Sequence, residues 1–196
     1  MALRTADRIA EQAKAILLDE GAEAVSMRRV AGAAGVTAMA IYRHYPNREA
    51  LLGAVAERGR EEFAERWRRR PREDNPRAEL RAALNALLDF ALERPRLYAL
   101  LYSEPPGHDD GGRDFRADDS PALNAVVSAI DEGMHRGVFA PDDVWETALS
   151  IMALLHGLIS LHHAGHLGLS DPEFRVLCGT AMTRLLHGIS ARAVDP

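Results

Sequence analysis

Between Arg28 and Arg48 the chain gathers Arg28, Thr37, Tyr42, Arg43, His44 and Arg48. These groups suit phosphate oxygens and base edges better than bond-making chemistry. The hydroxyls of Thr37 and Tyr42, and backbone N–H groups at a helix start, match phosphate oxygens. Arg28 is positioned for a phosphate or a guanine. Arg43 is the best candidate for base readout, since a guanidinium pairs bidentately with guanine O6 and N7. His44 has two open readings, a phosphate contact or a cap on a backbone carbonyl. Ala38-Met39-Ala40 carries no hydrogen-bonding side chain, which leaves contact with thymine methyls or readout of DNA shape.

Two short helical segments must position these groups. The stretch from Ser26 to Pro46 places Met27, Val30, Ala31 and Ala34 on one inward face, then turns at Gly35-Val36. Thr37 is an N-cap type, and Ile41 points back into the same small core. Ala38, Met39, Ala40, Tyr42 and Arg43 then fall on the side away from Ile41. Two helices crossing at a short glycine turn are the frame of a helix-turn-helix, whose second helix lies in a DNA major groove.

Tyr42-Arg43-His44-Tyr45-Pro46-Asn47-Arg48-Glu49-Ala50-Leu51-Leu52 resembles the segment that closes the DNA-binding domain of TetR-family transcriptional regulators. Ile9, Ala13, Leu17 and Gly21 before the motif extend the resemblance over about the first quarter of the chain. It implies that Thr37, Ala38, Met39 and Ala40 face base edges, with Tyr42, His44 and Arg48 near the phosphate backbone. Leu154-Leu155-His156-Gly157-Leu158-Ile159-Ser160-Leu161 is likewise similar to the core of a TetR-type C-terminal domain. There the resemblance implies an inducer pocket and a two-fold dimer made by the last two helices. Gly157 inside a helix costs about 1 kcal/mol relative to alanine, and close approach of another helix explains it. Gly157, Ser160, Leu161, Ala181, Leu185 and Ile189 are the expected dimer residues.

About nine helices and no strand are expected, an all-α chain. The expected division is a helix-turn-helix domain over 1–47, a linking helix over 48–72 and a helical effector-binding and dimerisation domain over 73–196. The first helix spans Thr5 to Glu20, with Gly21 as its stop. Asn47 caps the linking helix, which ends in the charged run Arg66 to Arg72. Glu61, Glu62 and Glu65 precede those arginines at ion-pair spacing, a simpler account of Arg68 to Arg70 than DNA contact. A Gly-, Pro- and Asp-rich loop covers Pro105 to Ser120, and its aspartates and His108 match no calcium loop. Ser120-Pro121 opens a helix to about Arg136, Pro141 opens a long apolar one to about His166, and a Ser170/Glu173 capping box starts the last, ending near Ser190.

In the C-terminal region Trp67, Tyr98, Tyr102, Met134, Trp145, Met152 and His156 set polar or polarisable groups among aliphatic stripes, as in small-molecule pockets. Leu87, from the stripe Leu80-Leu84-Leu87-Leu88-Ala91, completes the expected lining. His162 and His166, one turn apart on one helical face beside His163, invite a metal reading, although no nearby cysteine or carboxylate obviously completes a site.

Charge is polarised. Residues 1–70 hold 13 Lys+Arg against 10 Asp+Glu, whereas the remaining 126 carry a net charge of −8 within an overall −5. Attraction for phosphate is therefore confined to one end. Cys178 is the only cysteine, expected to be a small buried residue and to exclude an intrachain disulfide. The apolar run Ala148 to Leu161 reads as a core helix more than a membrane span, and a cytoplasmic protein is expected. With no nucleophile elbow, phosphate loop or paired carboxylates, an enzyme on the histidine-rich helix is the remote alternative, and no cofactor is expected. A homodimeric DNA-binding repressor released by a small-molecule effector is the expected function. Its rivals are a dimeric module with degenerate DNA readout and a metal-responsive regulator.

Overall fold

The computed structural model describes residues 4–102 and 121–189. The loop expected over Pro105 to Ser120, with His108, and the expected end at Ser190 lie outside the described residues. Nine α-helices and no strand occur among the described residues: α1 (Thr5–Glu20), α2 (Met27–Ala33), α3 (Ala38–His44), α4 (Arg48–Arg68), α5 (Pro76–Glu93), α6 (Pro95–Tyr102), α7 (Pro121–His135), α8 (Val144–His163) and α9 (Asp171–Gly188). They form two compact units, residues 4–63 with 94–102, and residues 64–93 with 121–189.

In the first unit Ile9, Ala10, Ala13, Ile16 and Leu17 of α1 form its buried stripe. Met27, Val30 and Ala31 of α2 and Ile41 of α3 are buried as well, Ile41 completely. Gly35 takes a left-handed turn at φ +64°, where a side chain is disfavoured. The Val36 N–H reaches back to the Ala31 carbonyl at 3.0 Å, so the α2 end is capped as the chain turns. α6 packs on α1 in this unit rather than with the C-terminal helices. Leu97 of α6 fills the space beside Gly59 of α4, where a Cβ would sit 2.9 Å from a leucine methyl. Lys14, the only lysine in the chain, is buried and paired with Glu62. The same carboxylate takes Arg94 at 2.6 Å.

That pairing corrects one expectation. Glu62 does not serve the arginine run of its own helix, because the two cations reach it from α1 and from the residue before α6. Glu65 behaves as expected, bonding Arg68 at 2.6 Å and Arg69 at 2.8 Å. Arg70 is drawn into the second unit's interior, paired with Glu79 and lying 4.3 Å over the Trp67 ring.

In the second unit α7 packs chiefly on α5 and then on α8, and α9 closes against α8 and α5. Phe139, fully buried, lies across Gly133, where a Cβ would come within 2.1 Å of the ring. Cys178 is buried in α9, and burial pushes its thiol up to about 11. α8 is shorter at both ends than expected. Its N-cap is Asp143, whose carboxylate accepts the Glu146 N–H at 2.8 Å, two residues beyond Pro141. It stops at His163 because Gly165 turns left-handed at φ +73°, with the His166 N–H returning to the Leu161 carbonyl at 3.0 Å.

Candidate nucleic-acid interface

α2 and α3 are each seven residues long, too short to persist alone, so local caps and neighbouring side chains must hold them. Ser26 Oγ accepts the Arg29 N–H at 3.3 Å and Thr37 Oγ1 accepts the Ala40 N–H at 3.2 Å. Asn47 caps α4 through the Ala50 N–H at 2.7 Å. Tyr45, just past α3, donates its hydroxyl to the Ala6 carbonyl at 3.2 Å and ties the end of α3 to α1. Burial raises that phenol's pKa, which keeps it a donor. Arg58 of α4 bonds Asp7 and Glu11 of α1.

The result is a fixed helix with one face outward. Ile41 points inward, while Met39 is 70% exposed and Tyr42 52% exposed. Ala38, Arg43 and His44 are exposed as well, and Ala40 is half-buried. Met39, Tyr42 and Arg43 stand at i, i+3 and i+4, so they share one side of the helix. Arg28 of α2 is exposed. Arg28, Tyr42, Arg43 and His44 have no protein partner among the described residues. The cap reading of His44 therefore finds no bond here.

Two other arginines are committed to the fold. Arg29 donates two hydrogen bonds to the Glu20 carboxylate in a bidentate ion pair, one of its contacts at 2.8 Å. Arg48, expected near phosphate, donates Nε to the Val25 carbonyl at 2.8 Å and Nη2 to the Ala22 carbonyl at 2.7 Å. Those carbonyls belong to the turn between α1 and α2, where the Ala22 carbonyl also accepts the Val25 N–H at 3.0 Å. Arg8 of α1 is exposed and uncommitted.

The expected pocket residues are distributed over both units. Tyr98 and Tyr102 belong to the first, with ring centroids 4.8 Å apart. Burial raises the Tyr98 phenol's pKa far above its ordinary value. Trp67, Leu87, Met134, Trp145, Met152 and His156 belong to the second. Leu87 and Met152 are core residues, and Trp67, Met134, Trp145 and His156 are half-buried. Burial pushes the His156 imidazole down to about 4. None of them lines the open cleft of about 460 Å³ among α5, α8 and α9, which is bordered by Arg81, Leu84, Leu88, Met182 and Arg184.

Of the expected dimer residues Gly157, Ser160 and Leu161 are exposed on α8, while Ala181, Leu185 and Ile189 are half-buried. The exposed stripe of α9 runs through Val176, Thr180 and Thr183.

The histidine cluster loses the geometry on which a metal reading depends. His166 lies past the end of α8, so it shares no helical face with His162. His162 stacks on Phe174 at 4.1 Å between centroids, with Nε2 2.9 Å from the Asp171 carboxylate. Burial lowers the His163 pKa. No group of three or more potential ligands gathers among the described residues.

Residues 9–55 match the family described as bacterial regulatory proteins, tetR family. Residues 80–189 match the tetracyclin repressor-like C-terminal domain. No curated protein matches the chain. Among solved structures, a protein of unknown function from Rhodococcus sp. RHA1 is similar at 26% identity and a TM-score of 0.79, over 96% of this chain and 97% of that one. A TetR transcription regulator from Haloarcula marismortui shares the fold at 22% identity and a TM-score of 0.75, over 95% and 98%. So does AibR, solved with isovaleryl coenzyme A and operator DNA, at 21% identity and a TM-score of 0.63, over 90% and 97%.

Proposed function

This chain belongs to the TetR family of DNA-binding transcriptional regulators, and from that premise we propose a homodimeric repressor that a small-molecule effector releases from a palindromic operator. The observation that carries the reading is the uncommitted outward face of α3. Met39, Tyr42 and Arg43 are exposed over a fully buried Ile41, with Arg28 free on α2. Arg43 reads a guanine, Thr37, Ala38 and Ala40 lie along the base edges, and Tyr42, His44 and Arg28 meet phosphates. Arg48 acts from behind, fixing the turn before α2. Residues 1–47 serve as the reading domain, 48–72 as the link and 73–196 as the effector-binding and dimerising part.

Pairing is supported by α8. The helix is apolar enough to cross a bilayer by composition, with a mean hydropathy of 1.5, yet only 33% of that stretch is buried in the chain's own core. Leu149, Ala153, Gly157, Ser160 and Leu161 form one exposed stripe along it. A second copy related by a two-fold axis would cover that stripe and Val176 together. For the effector, Trp145, Met152 and His156 follow one another along a single side of α8. Burial keeps the His156 imidazole neutral among apolar neighbours. Release requires the effector to bind a non-operator conformation more tightly than the DNA-bound one. A cytoplasmic location accompanies this reading.

Selection of bound duplexes from a random pool, at near-physiological salt with competitor DNA, tests it. A palindrome is expected, with half-sites about one helical turn or a multiple apart. A folded protein that enriches no sequence sinks the proposal.

A further inference from the structure

We propose that Met39 is a sequence-reading residue that selects thymine in each half-site by packing its thioether chain on the C5 methyl in the major groove. The inference rests on the DNA-reading function above and adds the base that the apolar part of α3 recognises. Among residues 38–40 only Met39 has reach, because its neighbours are alanines. It is also among the most exposed large apolar side chains of the described residues, at 70%. The core beneath has no room for it, being filled by Ile41 at 0% exposure. Tyr42 and Arg43, at i+3 and i+4, flank it with a hydroxyl and a cation that attract the DNA backbone and bases to the same face.

The thymine methyl is the one apolar group that base pairs present in the major groove. Covering it with a flexible thioether removes apolar surface from water on both sides. Guanine O6 and N7, or cytosine N4, set against the same side chain would lose water without gaining a hydrogen-bond partner. One residue thereby favours thymine and penalises a G·C pair. Readout of a narrowed minor groove works through basic side chains, which Met39 cannot supply.

The test uses the full-length protein and the duplex enriched from the random pool. Each thymine of the half-site is replaced in turn, symmetrically in both halves, by deoxyuridine, which removes only the methyl. At one position the unsubstituted protein is expected to bind about tenfold more weakly, roughly threefold for each methyl contact. Met39→Ala should abolish the response to uracil at that position and leave it unchanged at other thymines. Because Met39 is exposed, its thermal unfolding should match that of the unsubstituted protein, which separates lost readout from lost folding. Met39→Gln, of similar length but hydrogen-bonding, should change the base preferred at that position alone. If no thymine shows a response to uracil that depends on Met39, this inference falls while the regulator stands. If no duplex is enriched at all, the DNA-reading function falls and this inference with it.

Discussion

In the first unit, short helices are held by side chains that reach backbone oxygens: Arg48 to Ala22 and Val25 before α2, Tyr45 after α3 to Ala6, and Arg96 of α6 to Leu18 and Asp19 at the end of α1. In the second unit side chains also reach backbone oxygens, Arg77 to the Val138 carbonyl at 3.1 Å and Arg136 to the Asp74 carbonyl at 2.7 Å, but they join longer elements. Its long helices instead present apolar stripes, as α5 does with Leu80, Leu84, Leu87, Leu88 and Ala91. A short helix buries too few side chains to fix its own direction, and a hydrogen bond is directional where apolar burial is not. A reading helix needs a defined direction. A pocket-bearing bundle tolerates repacking.

That contrast makes unequal demands on substitutions. The largest loss should come from the bundle's core: Phe139→Ala removes a fully buried ring and is expected to cost about 4 kcal/mol in chemical denaturation. A cost near that of a surface change would mean that apolar packing does not hold this unit. Acid comes next. His156 is held neutral down to about 4, whereas in the unfolded chain it takes a proton near 6.5. Between those values the unfolded state binds the extra proton, so stability is full above 6.5 and falls as pH drops towards 4. The loss is on the order of 3 kcal/mol. Urea midpoints for His156→Phe should lack that part of the acid slope, and curves parallel to those of the unsubstituted protein would remove the imidazole from the account. The smallest of the three tests the reading unit. Arg48→Met removes the two side-chain hydrogen bonds to the Ala22 and Val25 carbonyls and should cost about 2 kcal/mol. It should weaken operator binding by misplacing α2 and α3, without altering which sequence is preferred. A changed preference would return Arg48 to the DNA.

What could be read from the sequence divides along the same line. α1 was legible from Thr5 to Glu20 because its apolar period and the glycine that stops it are local. The caps at Thr37 and Asn47 and the Ser170/Glu173 box were legible for the same reason, being contacts three residues long. Gly165 carried an equally local stop signal for α8, which the apolar run through His166 obscured. Arg48 was not legible. Its partners stand 23 and 26 residues back, and nothing in the arginine's own surroundings says whether it turns inward or outward. Glu62 failed likewise, since Lys14 is 48 residues away and outcompetes the nearer arginines. The exposed face of α3 was visible as an angle from Ile41, but which cations of α2 and α3 stay free depends on partners such as Glu20 of α1, which holds Arg29.

Lys14 has one more consequence. It is the chain's single lysine, and it is buried against Glu62. The folded surface therefore presents no lysine amine to acetyltransferases, to acyl-donor metabolites or to amine-directed cross-linkers. The exposed arginines of α2 and α3 carry guanidinium groups, which hold their proton at any physiological pH. The attraction of this regulator for DNA is thus set by sequence and salt, beyond the reach of the acylation that tunes lysine-rich DNA-binding surfaces.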